Sequence, residues 1–111
     1  MKVEINWSNP VIQASDVLLM QPIDLDDFYY GANNFDKSNL FFVLLVSLHH
    51  YLDQGDQDRA AHLSFLIANY LFMTFIPPGS FDLALHYIKQ AISLNPIDTY
   101  KEWLSIIEKG N

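Results

Sequence analysis

The stretch DQDRAAHLSFLIANYLFMTFIPPG, Asp56 to Gly79, decides the fold. Leu63, Leu66, Ile67, Tyr70 and Leu71 recur at helical spacing, while Phe65, Phe72, Phe75 and Ile76 cover much of the remaining circumference. A helix that is apolar on nearly every side must be surrounded by others, so the pattern predicts an all-α protein with this segment at its centre. Asp56 is placed to cap the start, Asp58 complements the helix dipole in the first turn, and Pro77 with Pro78 stops the helix. A membrane span does not fit. The apolar part, Leu63 to Ile76, is shorter than the ~20 residues a span needs, and His62, Asn69 and Thr74 interrupt the region.

On either side, Gly31, Gly55 and Gly79 are equally spaced and punctuate long apolar segments. DKSNLFFVLLVSLHHYLDQG, with Asp36 or Ser38 as cap and Gly55 as stop, is too long for a strand and predicts a helix. After Gly79, Ser80 is the expected cap of an amphipathic helix with Leu83, Ala84, Tyr87, Ile88, Ala91 and Ile92 inward and Asp82, His86, Lys89, Gln90 and Ser93 outward. Thr99 and Glu102 suggest a capping box for a last helix with Tyr100, Trp103, Leu104 and Ile107 on one face. The first 35 residues are less regular: Val3, Ile5 and Trp7 alternate with polar residues as in a strand or extended arm, Asn9 and Pro10 open a short helix to about Met20, and Asp24 caps a further turn or two. The expectation is one all-α domain over residues 1–111, with about four main helices in a helical core over 36–111.

The region from Phe65 to Asp98 resembles a single tetratricopeptide repeat: Leu71 in the first helix, Gly79 at the turn, Phe81 just after it, Ala84, Tyr87 and Ala91 along the second helix, and Pro96 at the end. Ala68 stands at the tryptophan position and Phe72 at the small-residue position, departures that imply looser packing of the two helices. No second unit fits before it, because residues 56–76 would have to serve in both. The resemblance implies helical-hairpin packing and a protein-binding role.

Charge is unevenly distributed. Nine carboxylates and two lysines precede Arg59, and the charges from Arg59 onward cancel, so the net charge of −7 belongs to the first half. Such a field repels phosphate backbones, which excludes nucleic acid as the expected partner, and speeds association with basic proteins. The absence of cysteine removes thiolate zinc sites and thiol nucleophiles and fits a reducing cytoplasm. MKVEINWSNP lacks the apolar core of a secretory signal, so a cytoplasmic location is expected.

No catalytic motif stands out. His49, His50 and Asp53 offer ligand-type side chains on one helix, with His62 or His86 as a possible third, and define the metal-dependent enzyme reading. Ser38, Ser47, Ser64, Ser80, Ser93 and Ser105 read as caps or helix surface. No cofactor is expected. IDLDDFYYGANNFD is more informative: Asp24, Asp26 and Asp27 adjoin Phe28, Tyr29 and Tyr30, aromatic anchors within a steering field. Asp53, Asp56 and Asp58 form a second acidic set around Gly55, and the two sets would make one negative face if the fold brought them together.

In size, acidity and lack of an active-site motif, the chain resembles immunity proteins of bacterial contact-dependent growth inhibition systems. The resemblance implies a non-catalytic inhibitor that binds and neutralises a basic toxin, such as a nuclease. The competing readings are a helical-repeat-like adaptor or secretion chaperone gripping an apolar peptide, and the metal-dependent enzyme.

Overall fold

The computed structural model describes residues 1–110; Asn111, the last residue of the expected domain, lies outside them. Among the described residues there is no strand. The elements are α1 (Ala14–Val17), α2 (Pro22–Gly31), α3 (Asn34–Asp53), α4 (Gln57–Asn69) continued by a π turn (Tyr70–Thr74), α5 (Ser80–Leu94) and α6 (Asp98–Lys109). The chain is an all-α bundle whose long helices are those expected.

Every residue from Ala60 to Phe72 is buried, as the all-round apolar pattern requires. Helices α3 and α5 flank α4, α6 packs on α5, and α2 sits against the π turn. The α4–α5 pair is the most extensive helix contact, contrary to the looser packing implied by Phe72. Ser64 faces α5, where it lies 3.3 Å from Gln90 Oε1, and Ala60 and Ala68 lie one turn to either side of it. Together with the buried Ala84 and Ala91 of α5, these small side chains let the helices approach closely.

The helix ends correct several expectations. Asn33 caps α3 by accepting the Asp36 N–H at 2.8 Å, in place of Asp36 or Ser38. Gly79 precedes α5 with φ of 78°, a left-handed conformation that disfavours any other residue, and Ser80 is already helical. Ile97 stands at the cap of α6 and makes no side-chain cap bond, so the Thr99–Glu102 box is not formed; the helix begins at Asp98, two residues too early for it. Leu83 is exposed rather than inward, at the edge of the α5 stripe formed by Ala84, Ile88 and Ala91. Asp56 does cap α4, bonding the Arg59 N–H at 3.2 Å.

Residues 1–13 form an extended arm, and the helix expected from Pro10 to Met20 shrinks to Ala14–Val17. Tertiary hydrogen bonds explain this. The Ile12 N–H donates to Ser47 Oγ at 2.9 Å, the Tyr51 hydroxyl donates to the Ile12 carbonyl at 2.6 Å, and Arg59 Nε donates to the Ala14 carbonyl at 2.8 Å. Side chains of α3 and α4 thus satisfy backbone groups that a helix would otherwise pair. Ser47 is buried beneath the arm and Ser64 against α5, not on the helix surface as the sequence suggested.

Candidate functional site

The first acidic cluster divides on folding. Asp24 is buried and completes a capping box at the third helical position of α2, where Gln21 rather than Asp24 is the cap. Its carboxylate accepts the Gln21 N–H at 2.8 Å and the Met1 ammonium at 2.7 Å. Burial pushes its carboxyl up, but these bonds together outweigh burial and hold it below its ordinary value. Asp24 therefore anchors the arm and is not available to a partner. Asp26 is half-buried and accepts a hydrogen bond from the Thr74 hydroxyl of the π turn.

Asp27 is exposed. Phe28 is half-buried and packs on the core, and Tyr29 lies edge-on to Tyr70 at 6.2 Å with Lys37 Nζ 4.4 Å from its ring centre. Tyr30, 79% exposed, is the outward aromatic of the three. The start of α3 presents Phe35, and the arm lays Trp7 on that ring at 5.9 Å and 17°. Both rings remain more than 60% exposed, which is unusual for side chains of this size. Asp27 and Asp36 also line a hollow of about 490 Å³ with Val3 and Phe28. At the corner between α2 and α3, Asp27 and Asp36 thus share one hollow, Tyr30 stands near the end of α2, and the Trp7–Phe35 pair stands at the start of α3.

The second acidic set lies elsewhere. Helix α3 has 20 residues, so Asp53 is about 30 Å from the corner, and the single negative face is not formed. Asp56 is ion-paired with Arg59 Nη1 at 2.8 Å, and that hydrogen bond, first among the causes, holds its carboxyl below the ordinary value. Asp53 and Asp58 are exposed. They add to the field but not to the corner.

The histidines do not converge. His49 and His50 are exposed near the end of α3, and among the described residues no group of three His, Asp or Glu side chains is placed to hold a metal ion. His62 is buried: its Nε2–H donates to the Met20 carbonyl at 2.6 Å, leaving Nδ1 to accept from the Tyr100 hydroxyl at 3.3 Å. Burial lowers its pKa and raises that of Tyr100 to about 12. His62 is a core hydrogen-bonding group.

Trp7, Phe35 and Asp36 were missed as site residues because Trp7 reads as part of an alternating strand or arm, Asp36 reads as a helix cap, and Phe35 lies between the aromatic cluster and the helix segment. The readable signal was Phe42 and Val46, seven and eleven positions after Phe35, which continue an exposed apolar line along α3. Among the described residues, no helix is long and apolar enough to cross a membrane. Comparison with protein-family models, curated proteins and solved structures returns no match.

Proposed function

We propose that the chain is a non-catalytic inhibitor that binds a basic protein through the α2–α3 corner, in the manner of a bacterial immunity protein neutralising a toxin such as a nuclease. The observation that carries this reading is the coincidence of unpaired carboxylates with exposed rings. Asp27 and Asp36 make no ion pair among the described residues, and the helix ends that carry them also carry Tyr30 and Phe35, which with Trp7 on Phe35 have large uncovered areas. Aromatic anchors supply affinity in such an arrangement, and the surrounding carboxylates raise the encounter rate with a cationic partner. A nuclease surface built to hold phosphates is a fitting target, because Asp27 and Asp36 can occupy phosphate positions.

The test is capture of the basic partner from a lysate of the source cells, followed by association kinetics with Asp27→Lys and Asp36→Lys together. Association slowed by at least tenfold at low salt, with folding intact, supports the reading; an unchanged rate removes the steering role.

A second reading, the adaptor or secretion chaperone, is favoured by the exposed line of Phe35, Phe42 and Val46, which an amphipathic partner helix could cover. Binding of that kind changes little with ionic strength, whereas steered binding weakens steeply.

A further inference from the structure

The π turn borders a concavity separate from the acidic corner. It has a volume of about 190 Å³, and its lining includes Leu25, Asp26, Asn69, Met73, Thr74 and Trp103. Asn69 is 2% exposed, and its Oδ1 finds no hydrogen-bond partner among the described residues; its Nδ2 makes only a long bond, 3.4 Å, to the Phe65 carbonyl one turn earlier. An unpaired buried acceptor is rare in folded proteins and calls for a donor. Asp26 supplies the second polar group: it accepts from Thr74 and pairs with no cation among the described residues. The concavity therefore presents a carboxylate between apolar and aromatic walls, with the unpaired Asn69 acceptor buried in its lining.

We propose that this concavity binds a small organic ammonium compound. The ammonium pairs with the Asp26 carboxylate and, once the Asn69 side chain turns its buried Oδ1 outward, donates to that oxygen as well, while the apolar body lies against Leu25, Met73 and Trp103. An anion would be repelled by Asp26, and a neutral polar molecule would leave that carboxylate without a counter-charge. A cation near the Trp103 ring gains a further attraction from the ring face. The volume, below the range usual for drug-sized ligands, restricts the body to a few carbons or one small ring.

The chain has two tryptophans, so Trp7→Phe leaves Trp103 as the only one and its emission as the reporter. The probe is cyclohexylammonium at neutral pH, with cyclohexanol as the uncharged counterpart of the same shape. The expected result is a saturable change in Trp103 emission with cyclohexylammonium, at least about tenfold weaker with cyclohexanol and in Asp26→Asn, and lost in Asn69→Leu. Asp26→Asn retains the acceptor for Thr74, and circular dichroism establishes that each variant is folded. The cyclohexanol comparison needs no second substitution, so it decides even if Asn69→Leu does not fold. Equal affinity for the two probes, or no saturable response to either, overturns the proposal.

Discussion

Asp24→Ala separates the structural from the functional acids of the IDLDD segment. The substitution removes two acceptor contacts of one buried carboxylate, at 2.8 Å to the Gln21 N–H and 2.7 Å to the Met1 ammonium. Loss of the reciprocal cap costs about 1 kcal/mol. Hydrogen bonds to charged groups are worth ~1.5–3 kcal/mol, but the ammonium is partly exposed and solvent screening reduces its share to about 1 kcal/mol. The sum, about 2 kcal/mol, corresponds to a fall in Tm on the order of 10 °C for a domain of this size. Asp27→Ala, four-square in solvent, should stay within about 0.5 kcal/mol of the parent. Urea denaturation of the three proteins is the assay. The pH dependence gives a second signature: a carboxyl held below its unfolded value contributes stability above that value, near pH 3.8, and loses it as pH falls further through the folded pKa. Asp24→Ala should flatten that part of the acid limb. Equal stability of Asp24→Ala and Asp27→Ala would refute the assignment of Asp24 to the fold.

Three further outcomes are expected. His62, with its pKa lowered by burial, is charged more readily in the unfolded chain, so stability should decline as pH falls below 6.5, and His62→Gln should remove that slope in urea titrations against pH. Leu66→Ala, at a fully buried position of α4, should cost about 2–5 kcal/mol, read from the urea midpoint. Gly79→Ala has open space for its Cβ but must hold φ of 78°, so it should cost about 1 kcal/mol by thermal denaturation.

The helical core was legible because its information is periodic. The all-round apolar pattern of residues 56–79 specified a central helix, and the glycine spacing located the turns at Gly55 and Gly79, both of which have positive φ. The caps were harder to read, since Asn33, Asp36 and Ser38 are all chemically able to cap α3 and only the register chooses among them. The first 20 residues were hardest. Their backbone partners, Ser47, Tyr51 and Arg59, lie more than 30 positions away, and no local pattern announces them.

The site was legible in composition but not in geometry. Six residues from Asp24 to Tyr30 were grouped by proximity in sequence, yet a helix turns successive side chains in different directions, so Asp24 went inward and Asp27 and Tyr30 outward. Trp7 joined the group only because the arm crosses the start of α3. The most direct test of the central claim is the association rate with the captured basic partner, measured by stopped flow across a salt series for the parent chain and for Asp27→Lys with Asp36→Lys. A basic partner steered to the α2–α3 corner gives a parent rate that falls steeply with salt and a variant rate at least tenfold lower at low salt. Parent and variant rates that coincide and do not change with salt would contradict it.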